Sequence, residues 1–555
     1  NHGAVQTVQK NCLYYGDNLT VLREHIKDES VDLIYLDPPF NSHQDYNVLF
    51  AEKDGTRSSS QIMAFEDTWE WNMDAEGAYQ EIVERGGRVS DAMRAFRTFL
   101  GHSDMMAYLA MMAPRLIELH RVLKETGSIY LHCDPTASHY LKMLMDGIFG
   151  GPNFLNEVVW KRTTTKNDYA QGATNWPRIH DILICYGKNS PSATFNQPFT
   201  AHDEDYIRSH YHLQDEKGRR YQLDNLTAPG AGMRGHPTYE FMGITRYWRY
   251  NKEKMEGLLA EGRIIQPRPG AVPRYKRYLD EMKGVAIGDM WWDISAINSQ
   301  AQERLGYPTQ KPEALLERII SASSSEGELV LDPFCGCGTA IAASQRLNRR
   351  WIGIDVTHLA IGLIKKRLDD AFGESVRATY EVIGEPVDLK GAEALAKEDP
   401  YQFQWWALSL VGARPLEKKK GADQGIDGRL YFHDEKGGKT KQIILSVKAG
   451  KLHAPYVRDL RGVIEREKAE IGVLISMESP TKPMLKEAAE AGFYRSPGLT
   501  DRYPRIQILS IEELLAAKKI DYPRFAADAT FKKAPKARKA AEEQMQLGGE
   551  IQEPF

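Results

Sequence analysis

The chain reads as an α/β protein in two parts, a large open sheet flanked by helices and then a second, smaller α/β unit. Three stretches predict this. Leu329-Val330-Leu331-Asp332 is a short apolar run that enters Pro333-Phe334-Cys335-Gly336-Cys337-Gly338-Thr339, and an alanine-rich, helix-forming segment follows over 340–347. Strand, glycine loop and helix in that order form the unit with which an open α/β sheet brings backbone close to a ligand. Far earlier, Val31 to Leu36 is another buried-type strand, and it ends in Asp37-Pro38-Pro39-Phe40. The third stretch predicts the smaller unit. A glycine turn closes on Asp427, a strand over 442–447 ends in Lys448, a helix fits 460–469, and a strand fits 471–476.

Length and composition set the bounds. At 555 residues the chain exceeds one core and predicts several domains. With 42% hydrophobic and 27% charged residues the composition is that of an ordinary folded protein. No run of apolar residues is long enough to span a bilayer, so no membrane partner is expected. No charged-then-apolar leader opens the chain, a processed N-terminus is expected before Asn1, and the expected location is the cytoplasm. Five scattered cysteines, with Cys335-Gly-Cys337 lacking a second pair at ligand spacing, predict neither a disulfide framework nor zinc. The net charge of -4 excludes a uniformly basic nucleic-acid coat but not a local patch.

Along the chain, Gly16-Asp17-Asn18 precedes the first strand by one helix. Asp37-Pro38-Pro39-Phe40 has two readings. Proline cannot donate to a ladder, so Pro-Pro ends a strand. It also makes a rigid clamp, in which the Asp37 carboxylate and Pro38 carbonyl present two acceptors to one flat amine while Phe40 stacks on its ring. An exocyclic amine is a poor nucleophile because its lone pair is delocalised, and bonding both its hydrogens favours the pyramidal, reactive form. Residues 41–105 form an insertion that either holds a substrate or is padding, with helices over 78–84 and 92–100. A helix over 115–124 and a strand over 127–132 follow.

The middle region carries basic residues interleaved with aromatics: Lys161-Arg162 after Trp160, then Arg246 and Arg249 around Tyr247-Trp248, then Arg274, Lys276 and Arg277 around Tyr275. That pattern suits a phosphate track with stacking platforms, or a surface whose long stems cover a small core. Thr309-Gln310-Lys311-Pro312 then opens a helix over 315–320. After the glycine loop, a strand over 351–354 ends in Asp355, where such folds receive a ribose diol. A helix over 359–368 and a strand over 377–383 complete the first part.

Together, Asp37-Pro-Pro-Phe40 and Phe334-Cys-Gly-Cys-Gly-Thr339 resemble the catalytic and cofactor motifs of the S-adenosylmethionine-dependent amino-methyltransferases of DNA. Catalytic motif first, long middle region and cofactor loop last is the β-class order. The resemblance covers residues 12–385. It implies a Rossmann-like sheet with an inserted target-recognition region that reads DNA, and transfer of a methyl group to a base flipped from the duplex. It assigns Asp37, Pro38, Pro39 and Phe40 to catalysis. To the cofactor it assigns Asp17 and Asn18 (adenine), Asp332, Phe334, Gly336, Gly338 and Thr339 (methionine end), Thr309 and Lys311 (closing over that end), and Asp355 (ribose). Aspartate opening the Pro-Pro motif goes mostly with adenine N6, with cytosine N4 left as the alternative. DNA is the expected partner, and a homodimer stays open.

The second part is similar to Mrr-like restriction-endonuclease folds through Asp427 and Ser446-Val447-Lys448, with Ser446 and Lys448 on one face of a strand. Asp427 is its candidate Mg2+ ligand and Lys448 its phosphate contact. Ser446 replaces the usual acid and is a poor ligand for a hard cation; Gln402 and Gln404 stand where a glutamate is common. Cleavage and a degenerate fold kept for binding, or a fusion whose main role is cleavage, all remain open here. The expected boundaries are 1–150 with 301–385 for the catalytic domain, 151–300 for target recognition, 386–400 for a linker around a short alanine-rich helix, 401–525 for the nuclease-like domain, and 526–555 for a basic and polar tail.

Overall fold

The computed structural model describes residues 10–39, 70–163, 176–228, 235–297, 303, 310–415, 425–434, 440–496 and 501–523. Two units result, residues 1–196 with 289–555 and residues 197–288. Phe40, Thr309, much of the 41–105 insertion and the 526–555 tail lie outside the described residues.

The first unit contains a nine-stranded sheet. Its strands are β1 (Asn11–Tyr15), β2 (Val31–Leu36), β3 (Leu123–Cys133), β4 (Phe154–Lys161), β5 (His180–Gly187), β6 (Met290–Trp291), β7 (Leu329–Asp332), β8 (Arg350–Asp355) and β9 (Tyr380–Ile383). In space they run β6-β4-β5-β3-β2-β7-β8-β1-β9. The half from β3 to β9 is parallel, and β5 pairs antiparallel with both β3 and β4. β2 is buried at every position, as its mostly apolar run requires of a strand covered on both faces. Its one acid, Asp32, is satisfied there: it accepts from Leu329 N at 2.9 Å and from Lys124 Nζ at 2.7 Å, tying β2 to β7 and β3.

Helices cover the sheet. The ones used below are α1 (Asn18–His25), α2 (Met73–Arg85), α3 (Gly87–Leu100), α4 (Asp104–Val122), α5 (Ser138–Phe149), α6 (Glu313–Ser323), α7 (Thr339–Arg346) and α8 (His358–Phe372). One apolar cluster gathers α2 to α5 against β2 and β3, and a second gathers Ile341, Trp351, Ile361 and Ile364 on the other side. The described part of the 41–105 insertion is thus helical and packed, through Ile82, Met93 and Phe96.

One stretch divides where a single region was expected, and the helix expected in the linker is packed. The stretch 151–300 divides, because β4, β5 and β6 extend the main sheet while residues 197–288 form their own unit. That unit has a four-stranded sheet built on Arg220–Asn225 and Arg274–Tyr278, a hairpin of Thr238–Phe241 with Ile244–Tyr247, and a core of Leu226, Phe241, Trp248, Met255 and Ile264. The stretch 386–400 is mostly helix α9 (Leu389–Glu398), whose Ala392 and Leu395 are buried in the same cluster as Phe403 and Trp406 of α10 (Pro400–Leu410). The cause is local. Asp388 caps α9 by accepting from Gly391 N at 2.8 Å, and Pro400 sits at the first position of α10, where a missing N–H costs nothing.

Beyond α10, a five-stranded sheet runs β10 (Arg414–Pro415), β11 (Gly428–Phe432), β12 (Lys441–Lys448), β13 (Ile471–Ser476) and β14 (Ile506–Ser510) in that spatial order. β12, β13 and β14 are parallel, with helix α11 (Pro455–Arg466) crossing between β12 and β13.

Candidate active site at the carboxyl ends of the central strands

Register brings the two distant motifs together. β2 pairs with β7 through Leu33 with Val330 and Ile34 with Leu331, and β7 pairs with β8 through Asp332 with Gly353. The acids at the carboxyl ends of these three adjacent strands, Asp37, Asp332 and Asp355, therefore lie at one edge of the sheet, where open α/β sheets bind ligands.

Lys311 answers them. Its Nζ lies 2.5 Å from Asp37 Oδ2, and both side chains are largely buried. Burial drives the Asp332 carboxyl well above the ordinary carboxylate range, and the charges of Asp37 and Asp355 add to that despite a hydrogen bond from Phe334 N at 3.0 Å. Burial likewise pushes Asp355 up to about 6, against the hydrogen bonds it accepts. Those bonds come from Gly336 N to Oδ2 and from Thr357 N and Oγ1 to Oδ1, each at 2.9 Å.

The glycine loop is shaped by its neighbours. Gly338 adopts φ +74°, and a Cβ there would meet Ile364 Cγ1 at 2.7 Å, so only glycine fits between the loop and α8. Beneath it, the buried Arg367 donates to Cys337 O at 3.2 Å, Thr339 Oγ1 at 3.1 Å and Glu313 Oε1 at 2.7 Å. Arg346 also donates to Glu313. This pins the loop to α6 and α8.

At the start of the chain, Asp17 caps α1, accepting from Leu19 N at 2.9 Å and Thr20 N at 3.2 Å. Arg115 bridges Asp17 and Asn18, donating to Asp17 Oδ2 and to Asn18 Oδ1 at 2.6 Å each, while Asn18 Nδ2 donates to Pro333 O at 2.8 Å. Asn18 is thereby hooked onto the residue after Asp332. The set fits the cofactor implied by the motifs: acids in excess over one ammonium suit a cationic sulfonium even with Asp332 held toward its neutral form, and a strand-tip acid held by two backbone amides suits a ribose diol.

Behind Asp37 runs a buried chain not singled out in the sequence. Tyr35 Oη and His132 Nδ1 share a hydrogen bond at 2.9 Å, and His132 Nε2 lies 3.1 Å from Asp181 Oδ2. Burial pushes Asp181 up, yet its bond to His132 and the charges of Lys311 and Arg162 hold it below the ordinary value. His132 lies in the strand already compared with the family, but only pairing of β3 with β5 reveals its partner.

The candidate nucleic-acid residues fall in both units. In the first, Lys161 Nζ sits 5.8 Å over Trp292, and Arg162 Nε is 3.2 Å from the buried Asp181. Arg162 is therefore tied to the β5 carboxylate rather than standing open on a track. In the second, Arg246 and Arg249 are exposed, Lys276 Nζ lies 5.3 Å over Tyr221, Arg274 is half-buried, and Arg277 is ion-paired with Asp224.

The nuclease-like residues come together differently from expectation. Asp427 Oδ1 accepts from Gln404 Nε2 at 3.0 Å, and Oδ2 accepts from Val447 N at 2.7 Å and Ser446 Oγ at 3.2 Å. Lys448 Nζ lies over the ring of Tyr456 at 5.2 Å. The carboxylate expected to hold Mg2+ is engaged by neutral donors, and among the described residues no group of three or more His, Cys, Asp or Glu is arranged to hold a metal ion. A hard dication wants several oxygens, and these residues do not fit it.

Comparison with known proteins agrees. The profile of the DNA methylase family matches residues 31–366, and that of NACHT-associated inactive restriction endonuclease 1 matches 401–516. The chain is 29% identical over 375 residues to the type II methyltransferase M.EcaI of Enterobacter cloacae, spanning 67% of this chain and 71% of that protein. It is 27% identical over 356 residues to the Mod subunit of the type III restriction-modification enzyme StyLTI of Salmonella typhimurium, spanning 61% of this chain and 50% of that subunit. It is 23% identical over 359 residues to the DNA adenine methyltransferase YhdJ of Escherichia coli K12, spanning 65% and 83%.

Proposed function

The chain belongs to the DNA methylase family, and from that premise we propose that it transfers a methyl group from S-adenosylmethionine to the N6 amine of an adenine flipped out of DNA. One observation carries this reading: Asp37 and Pro38 leave β2 beside the acids of β7 and β8, so an amine acceptor site adjoins a cofactor site. When bound, the cofactor supplies a methyl carbon made electrophilic by the sulfonium.

This chain's residues do the rest. Asp355 would accept from the ribose hydroxyls, Asp17 would face the cofactor's adenine, and the loop 334–338 would hold its methionine end. Asp37 and the Pro38 carbonyl accept the two hydrogens of the target amine. A carboxylate offers about four acceptor sites, so the bond from Lys311 leaves capacity for the amine. With the cofactor bound, the amine nitrogen would take the methyl group from its sulfonium, and Asp37 would be within reach of the proton the amine gives up. Positioning supplies the rate; no covalent enzyme intermediate is needed. YhdJ acts on adenine by its name, which supports N6. Residues 401–516 act as a non-cleaving domain. Digestion of methylated DNA to nucleosides, followed by mass spectrometry, tests the reading: N6-methyladenine is expected, and N4-methylcytosine overturns the base assignment.

A further inference from the structure

Of the two glutamines on α10 that stand where a glutamate is common, Gln404 bonds Asp427 while Gln402 reaches the first turn of α8. Gln402 is almost fully buried on α10, and its Oε1 accepts from His358 N at 3.2 Å. His358 opens α8, so its N–H is one of the four that a helix leaves without an internal partner. The residue is fully buried and water does not reach it. The preceding residue, Thr357, caps α8 by accepting from Ala360 N at 3.2 Å and donates both its N–H and its hydroxyl to Asp355. The ring of His358 stacks on Tyr15 at 3.7 Å, and Tyr15 is the register partner of Asp355 in β1. One turn further along α8, a Cβ on Gly362 would meet Ser409 Cβ at 3.1 Å, which shows how closely α10 lies against α8.

We infer that Gln402 is a positioning residue of the cofactor site: the nuclease-like domain supplies the cap that fixes the first turn of α8, and through Thr357 fixes the Asp355 carboxylate. The domain is then part of the socket for the cofactor ribose rather than a separate appendage. The inference rests on the methyltransferase reading above.

The test uses the full chain and S-adenosylmethionine as the calorimetric probe. Gln402→Met keeps length and volume but removes the acceptor; Gln402→Glu keeps the acceptor. Loss of one buried hydrogen bond behind the site is expected to weaken cofactor binding about fivefold in Gln402→Met. The KM for DNA, and kcat at saturating cofactor, should stay at wild-type values, which a general loss of folding would not allow. Gln402→Glu should bind within about twofold of wild type. Wild-type affinity in Gln402→Met, or an equal loss in Gln402→Glu, overturns the inference. Should Gln402→Met not fold, Gly362→Ala carries the test by prising α10 from α8: it should show the same cofactor-specific loss, and Ser409→Gly in the same chain should restore binding. A Gly362→Ala chain with unchanged cofactor affinity overturns the inference as well. A wild-type chain that binds no S-adenosylmethionine overturns the methyltransferase reading, and this inference with it.

Discussion

Lys311 Nζ and Asp37 Oδ2 lie 2.5 Å apart although 274 positions separate them in the chain. The lysine was expected over the methionine end of the cofactor, and the structure pairs it with Asp37, the proposed acceptor of the target amine. Asp37→Ala should abolish methyl transfer with cofactor affinity preserved within severalfold. Lys311→Met should slow the single-turnover rate about tenfold or more, because the carboxylate loses the group that orients it. Wild-type turnover in either variant removes that residue from the clamp.

Asp355 is the second test. Replacing it by alanine removes a charged acceptor from the ribose hydroxyls, a loss of about 1.5–3 kcal/mol or roughly 10- to 100-fold in affinity. Calorimetry with unchanged affinity would take Asp355 out of the cofactor site.

The same residue sets a pH dependence. Burial raises the Asp355 carboxyl to about 6, so above that pH it is ionised and accepts from the ribose, and below it a proton competes. Cofactor affinity should be flat from pH 7 to 8 and fall about tenfold per pH unit below about 5.5, as one proton is taken up. A profile flat down to pH 5 contradicts the assignment.

For the C-terminal domain, neither Mg2+ nor Mn2+ should produce nicks in unmodified DNA carrying the recognition site. Asp427→Ala should lower the melting temperature, because Val447 N, Ser446 Oγ and Gln404 Nε2 lose their shared acceptor, at about 1–3 kcal/mol for the buried donors. Metal-dependent nicking lost in Asp427→Ala would restore the nuclease reading.

The central strands and both motifs were legible in the sequence because apolar runs bounded by proline and glycine are local signals. That Asp37 and Asp332 are neighbours was legible only through the resemblance, since strand order is not a local property. Lys311 and Arg162 were read as ligand contacts and Arg115 only as part of a helix, and the acids that pair with them, Asp37, Asp181 and Asp17, come from other elements. Side-chain partners across strands depend on register, which spacing within one segment does not encode. The short alanine-rich helix of the 386–400 stretch was legible, and Gly391 and Pro400 sit in the first turns of α9 and α10, where both are tolerated; its packing with α10 was not, because that depends on distant partners. The contact of Gln404 with Asp427 was not legible, because the two lie on different elements.

The place of β1 in the sheet has a consequence for biosynthesis. It lies between β8 and β9, and Asn11, at its start, accepts from Trp351 N, 340 positions away. At roughly 5–20 residues per second, the ribosome delivers those partners roughly 20–70 s after β1 has been made. Throughout that interval β1 has no neighbour, and the catalytic strand β2 lacks β7 on one side. The nascent chain therefore presents unpaired strand edges until the cofactor loop is out, and slower translation of residues 300–380 should lengthen its dependence on chaperones.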